Sequence, residues 1–475
     1  MHFPGKHSAW AFIFLVLGVA GHASASDAKI IRPNFVVVMA EAQGWASLST
    51  PMDDRIPNSK SEINLTVNLD RLAKEGTRFS DAYSASPRCT PSRASFFTGK
   101  SPAQLHMTFV NDGRGDKSAV GQAARKLLEP RCIVELPNSE ITIADLLKRE
   151  GYATAHFGKW HVGRVNPSAH GFEESDGPTN NEGLTNNPIE TSRMADRGVD
   201  FMTRQTRAGK PFYLQVSHYP ARGSSDVMAA TMVAVKQRLS GRLASRAGQE
   251  QRRLAEVAAN QDMDESIGKL LNKIDDLGIA ANTYVIFTSD HGSQGRNANA
   301  PLYAGKGTVW EGGIRVPLVI RGPGIAAESD SHVRTIAADL FPTIAELAHV
   351  TSPLPSGLEG GSLVPVLENA EAGEIKRSRE ELVFHFPHYD KDEYGPASAI
   401  ILGPYKLIRY YATGAKVLID LQKDIGEEHD LARQLPEKVR ELDERLTAYL
   451  SEIHAQLPIP NPEFDPKARE LLRPR

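Results

Sequence analysis

Two cysteines occur among the 475 residues, Cys89 and Cys132, and the first stands where a thiol can do chemistry. Cys89 opens the run Cys89-Thr90-Pro91-Ser92-Arg93. Pro91 suits the first turn of a helix, because the N–H that proline lacks is one the first turn leaves unpaired. Ala94 to Thr98 can continue that helix and Gly99 can end it. Cys89 then lies at the positive end of the helix dipole, with free N–H groups facing it and Arg93 one turn in. Such a place suits an anion, and it also activates a thiol. A disulfide between Cys89 and Cys132, the ordinary fate of two cysteines in an exported chain, is equally consistent with these residues. If Cys89 is chemically converted, Cys132 loses that partner.

The longer run from Cys89 to Gly99 resembles the type I (formylglycine-dependent) sulfatase signature, C-x-P-S-R-x-x-x-x-T-G. Three further runs are similar to the same family in the same order. They are Gly151-Tyr152 through Gly158-Lys159-Trp160-His161, then Thr288-Ser289-Asp290-His291-Gly292, then Lys306 with Trp310-Glu311-Gly312-Gly313. The resemblance covers nearly all of the mature chain and points to the arylsulfatase or N-acetylgalactosamine-6-sulfatase-like branch. It implies an α/β fold of the alkaline-phosphatase type: a large mixed sheet with helices on both faces, plus a small C-terminal antiparallel sheet with a helix.

It also implies an activity. Cys89 would be oxidised to formylglycine (3-oxoalanine) by a formylglycine-generating or anaerobic maturation enzyme. The hydrated aldehyde carries two hydroxyls on one carbon, one to attack sulfur and one to expel sulfate, which splits one difficult displacement into two steps. Arg93 would hold the modified residue, Lys159 and Lys306 would clamp sulfate oxygens, and His161 would act on the nucleophile's hydroxyl. The implied ligands of a calcium ion, with magnesium as the alternative, are Glu41, the converted Cys89, Asp290 and His291. The substrate would be a sulfated carbohydrate or an aryl sulfate.

Two places depart from the family. After the first strand, where paired acids are usual, the chain reads Ala40-Glu41-Ala42-Gln43-Gly44-Trp45. Glu41 supplies one carboxylate; Ala42 cannot be a ligand. Beyond Ser217, where a histidine usually serves the leaving group, the run is His218-Tyr219-Pro220-Ala221-Arg222. Arg222 falls near that position, but arginine stays charged and is a poor proton donor. His218 is the other candidate for substrate contact, and a packed strand-end histidine is its plain alternative. These departures keep two other readings open: a degenerate sulfatase-fold protein that binds anionic glycans, and a phosphoryl or phosphonate ester hydrolase.

The elements that must position these residues follow from periodicity. β-branched or apolar runs predict strands at Ile30–Ala40, Thr77–Tyr83, Tyr152–Phe157, Phe212–Ser217, Tyr284–Thr288 and Val316–Ile320. Helical spacing marks Val67–Gly76, Ile141–Arg149 and a long polar stretch over about 226–277. Strands alternating with helices indicate an α/β sheet. After about 370 the pattern changes to four short strands and one helix, Pro436–Ile453. The expected organisation is a signal peptide over 1–25, a catalytic domain over 26–370 and a C-terminal subdomain over 371–475. The leader is read from a basic start, an apolar run over 9–20 and Ala23-Ser24-Ala25 as a cleavage site, which implies a secreted or periplasmic protein. No later segment is apolar and long enough to span a membrane. A net charge of −3 and 24% charged residues give no basic excess for nucleic acid.

Overall fold

The computed structural model describes residues 32–112, 118–181, 190–219, 227–243 and 247–471. The expected leader and Arg222 lie outside them. At the centre is a mixed eight-stranded sheet in the order 329–331, 77–79, 318–321, 283–289, 34–40, 212–217, 153–158, 174–175. The strand Asn34–Ala40 pairs in parallel with both Phe212–Ser217 and Thr283–Ser289, and Phe212–Ser217 pairs in parallel with Ala153–Gly158. Leu318–Arg321 runs antiparallel to its neighbours.

Successive side chains of a strand point to opposite faces. Phe35, Val37 and Met39 therefore enter one hydrophobic cluster, while Val36, Val38 and Ala40 enter the other. Both faces are covered, which is why the strand reads as an unbroken apolar run. Each such valine, phenylalanine or methionine side chain, fully buried, contributes about 1.5–3 kcal/mol. Helices Val67–Lys74, Glu190–Arg207 and Ala247–Asp276 border one face. Helices Cys89–Thr98, Ile143–Arg149 and Leu340–Leu347 pack together on the other. Among the described residues no helix is long and apolar enough to cross a membrane.

A second sheet of four antiparallel strands, Leu382–Phe386, Ala397–Leu402, Tyr405–Tyr410 and Lys416–Asp420, carries the helix Pro436–Glu452 against one face. Its other face packs on Tyr83, Trp310 and Ile314.

Several boundaries differ from the expected ones. The run Thr77–Tyr83 forms two short strands, Thr77–Phe79 and Ala82–Tyr83, which pair with different partners. The long polar stretch contains two helices, Ala229–Arg238 and Ala247–Asp276. Glu190–Arg207 is a helix that the mixed polar sequence did not announce; its buried side is Glu190, Met194, Ala195, Gly198, Phe201 and Met202. Ile459–Pro460 pairs with Leu127–Leu128, and Pro466 starts a last helix.

Candidate active site

The parallel register decides where the site lies. Ala40 is paired with Ser289, Met39 with Ser217, and Gly158 with Ser217. Strands that share a direction and a register end together, so Glu41, Lys159, His218 and Asp290-His291 all emerge at one edge of the sheet. In α/β sheets, ligand sites form at this carboxyl edge.

The helix Cys89–Thr98 points its N-terminus at that edge. It begins at Cys89, and Gly99 closes it in a left-handed conformation at φ 68°. Phe97 on this helix packs against Trp160 with ring centroids 4.8 Å apart. Thr90 Oγ1 donates to the carbonyl of His161 at 2.8 Å. The Lys159–His161 turn is thereby fixed against the helix that carries Cys89. Lys306 arrives from a loop held by its own N–H to Ser293 O and by Gly307 N–H to Pro87 O, both 3.0 Å. That loop packs so closely that a Cβ on Gly292 would come within 1.8 Å of Gly312 O. Glycine at 292 follows from this backbone contact, and glycine at 312 from the Tyr303 and Ala304 carbonyls, which a Cβ there would meet at 2.4 and 2.5 Å.

Cys89 Sγ lies 3.3 Å from Glu41 Oε1, 3.2 Å from His291 Nε2 and 3.7 Å from Lys306 Nζ. His161 also hydrogen-bonds the thiol. Arg93, fully buried, donates from Nε to Asp290 Oδ2 at 3.0 Å, from Nη1 to the Lys159 carbonyl at 2.6 Å and from Nη2 to Glu41 Oε2 at 3.3 Å. Glu41 also accepts from Lys159 Nζ, and from Lys306 Nζ at 3.2 Å. Its side chain is 1% exposed. Three cations thus face two carboxylates in a buried space, a surplus that suits an anion. Opposite charges at this range act strongly where water is excluded.

The electrostatics follow from these contacts. Burial would push the Glu41 carboxyl up, but Lys159 and Lys306 together bring it well below the usual range. Asp290 goes the other way, to about 6, because burial and the neighbouring Glu41 charge outweigh His291 and Arg93. The Cys89 thiol is opposed by burial and by Glu41, yet Lys159, His291 and His161 hold it well below its ordinary value. Burial lowers His161, so its imidazole is neutral at pH 7.

Glu41, Cys89, Asp290 and His291 each offer one ligand atom, and these atoms all lie within 4.8 Å of one another. His291 Nδ1 faces the Gly292 carbonyl at 2.9 Å, which assigns the proton to Nδ1 and leaves the Nε2 lone pair facing Cys89. Two carboxylates and an imidazole around one point fit a divalent cation, though with fewer oxygens than calcium usually takes. Ala42 adds none. It sits at φ 54°, a left-handed conformation that asparagine and aspartate adopt more readily than alanine. Asp53 does not fill in, since both its oxygens bond Arg55.

His218 stands apart from this cluster. Its Nε2 lies 3.3 Å from Ser266 Oγ on the helix Ala247–Asp276, and burial with the nearby Arg93 charge brings its pKa down to about 4. His385 and His388, in the aromatic run after Val383, are both buried and bond Ser398 and Thr108. Sequence reasoning missed the ion pair between Arg88, next to Cys89, and Asp390 from beyond the second sheet's first strand. It also missed the role of Glu311, whose carboxylate turns away from the site and bonds Lys406 and Tyr83. Neither pair has a local signal, because the partners are far apart in the chain.

Comparison with known proteins gives the family of the chain. The sulfatase family model matches residues 33–350, and the model of the N-sulphoglucosamine sulphohydrolase C-terminal region matches residues 302–456. N-acetylgalactosamine-6-sulfatase of Mus musculus is 31% identical over 397 residues, which cover 75% of this chain and 69% of the mouse protein. The ulvan-active sulfatase of Formosa agariphila is 29% identical, covering 74% of this chain and 68% of that protein. The crystal structure of Ps i-CgsB in complex with k-i-k-neocarrahexaose shares the fold with a TM-score of 0.71 at 22% identity, covering 88% of this chain and 93% of that one. The chain belongs to the sulfatase family of sulfuric ester hydrolases.

Proposed function

We propose that this enzyme releases sulfate from a sulfated carbohydrate, using Cys89 in its formylglycine form and a divalent cation, calcium before magnesium. The observation that carries the reading is the buried convergence of Arg93, Lys159 and Lys306 on Cys89 and Glu41. Relatives named for N-acetylgalactosamine-6-sulfate and for ulvan, and a neighbour holding a neocarrahexaose, support a sugar sulfate over an aryl one. Formylglycine supplies an oxygen nucleophile with two hydroxyls on one carbon, and the cation adds positive charge beside it.

The chain's own residues would do the rest. Lys159 and Lys306 hold sulfuryl oxygens by charge-assisted bonds, while Arg93 orients the converted residue and stays fixed by Asp290. His161, neutral at pH 7, accepts a proton from the nucleophile's hydroxyl. Glu41, Asp290 and His291 would hold the cation. His218, neutral above about pH 4, is a poor proton donor to the leaving alcohol. The maturation partner is a formylglycine-generating or anaerobic enzyme, the setting is secreted or periplasmic, and residues 371–475 form a C-terminal subdomain.

Arg88 precedes Cys89, so trypsin releases residues 89–93 as one peptide. From a host with the maturation enzyme, that peptide is expected to carry the aldehyde mass, and the protein to liberate sulfate from sulfated oligosaccharides. A thiol on every copy of the peptide from an active preparation would sink the formylglycine reading. Turnover of phosphonate monoesters in preference to sulfate esters would sink the substrate reading.

Ala42 favours one competing view, a glycan-binding protein with a weakened metal shell. Ala42→Asp is expected to tighten calcium binding on the order of tenfold and to raise the rate, by adding a carboxylate at a position already left-handed. Calorimetric calcium titration of the two proteins checks it. Equal affinities would mean that the shell is complete without residue 42.

A further inference from the structure

A second set of reactive side chains converges away from the Cys89 cluster, where residues 129–132 meet the segment after Leu382–Phe386. Cys132 Sγ lies 3.5 Å from His388 Nε2 and 3.2 Å from Thr108 Oγ1. The Thr108 oxygen is itself 2.8 Å from the same Nε2. Across the ring, His388 Nδ1 is 3.5 Å from Glu129 Oε1. Glu129 is held in turn, accepting from Tyr389 N at 2.9 Å and pairing with Arg125.

The histidine cannot turn away. Its ring is 1% exposed and packs on Phe109, with centroids 4.8 Å apart, and on Phe386 at 5.5 Å. Cys132, in contrast, is only partly buried. Thiol, imidazole and carboxylate therefore stand together, with the cysteine at the partly exposed end and the acid end fixed. A thiol beside an imidazole whose far nitrogen faces a carboxylate gives up its proton readily and becomes a nucleophile.

We propose that Cys132 is a thiol modification site, a thiolate paired with His388 that reacts with low-molecular-weight disulfides. The thiolate attacks one sulfur of R–S–S–R. A new S–S bond to Cys132 forms as the old one breaks, and R–S⁻ leaves, taking up the proton that His388 holds. Cys132 is oxidised and the departing thiol is reduced. The only other cysteine, Cys89, is buried in its own cluster, so the chain holds no resolving thiol and the adduct persists.

The charges nearby act in the same direction. Burial opposes ionisation of Cys132, but the His388 hydrogen bond and charge bring the thiol below its ordinary value. Burial likewise opposes a charged His388, and Cys132 and Glu129 raise it nonetheless. Among the described residues, the other charged or titratable groups around the cluster include Arg125 on Glu129, His385 with His106 beyond it, and Arg88, which lies over the Phe109 ring and pairs with Asp390.

The test is thiol–disulfide exchange of the full chain with oxidised glutathione, followed by mass mapping. Trypsin separates the peptide that starts at Cys132 from the one that starts at Cys89. The reference is a synthetic peptide of residues 132–148. An ordinary thiol with a pKa of about 8.5 should react about fiftyfold faster at pH 8.5 than at pH 6.5. Cys132 in the protein is expected to change by less than about threefold over that span, and at pH 6.5 to react about tenfold faster than the peptide, after allowing for its lower nucleophilicity. His388→Gln should restore the peptide's steep profile, and Glu129→Gln should shift it part of the way. A wild-type profile that follows the peptide, or a His388→Gln profile identical to wild type, overturns the proposal. The wild-type profile decides the matter even if His388→Gln fails to fold.

Discussion

Cys89→Ala is expected to lower kcat for sulfate ester hydrolysis by about 10⁴-fold or more, with the fold retained, when compared with converted wild-type protein. The side chain is buried at a helix N-terminus, and its sulfur touches Glu41, His291 and Lys306 at 3.2–3.7 Å. Truncation removes the reacting atom and leaves the cations in place, so sulfate binding should survive far better than turnover. Cys89→Ser separates the steps. Its hydroxyl can take the sulfuryl group but has no second hydroxyl to expel it, so one equivalent of alcohol should appear without turnover. Rapid-mix assays and mass analysis of the 89–93 peptide would show the burst and the retained sulfate. A Cys89→Ala enzyme within tenfold of wild type would remove Cys89 from the mechanism altogether.

Lys406→Met is expected to cost about 3–5 kcal/mol of stability, the usual consequence of stripping the partner from buried charges. Lys406 Nζ is fully buried between Glu311 Oε1 at 2.9 Å and Glu427 Oε1 at 2.8 Å. Glu427 also accepts from the Glu311 N–H at 2.6 Å, and Tyr83 OH donates to Glu311 at 2.7 Å. This network ties the second sheet to the turn Trp310–Ile314, and without the lysine two carboxylates face each other with only Arg315 near. Glu427→Gln keeps the hydrogen-bond acceptor and removes a charge, so its cost should be below about 1 kcal/mol. Urea midpoints of the two variants check the contrast. If Lys406→Met unfolds where wild type does, the network contributes nothing.

The same network sets a pH dependence. Burial and the neighbouring Glu311 push Glu427 up to about 7, although Lys406 works against the rise. A carboxyl with a raised folded pKa contributes stability that is fully present below its unfolded value, about 4.3, and lost as pH climbs through about 7. Wild type should therefore lose stability from this group between about pH 4.3 and 7, and Glu427→Gln should not.

The sequence by itself determined the parts of this enzyme that local chemistry controls. The helix that starts near Pro91 and ends at Gly99 and the apolar runs that became buried strands were legible, while Lys159, His161, Asp290, His291 and Lys306 were marked only by the resemblance of their motifs to the sulfatase family. Backbone preference and hydrophobic period act over a few residues, so they can be read from neighbours. Tertiary structure decided what those residues do to one another. Only the register of Asn34–Ala40 with its two parallel neighbours brings Glu41 beside Asp290, and only the folded loops bring Lys159 and Lys306 onto the same carboxylate. The left-handed backbone at Ala42, the turn of His218 toward Ser266 and the Cys132–His388 pair belong to the same class. Each depends on contacts between distant segments, where geometry and burial set charge and protonation. Cys89 was visible as a reactive residue from its own neighbours; the buried cations and carboxylates that tune it were visible only in the fold.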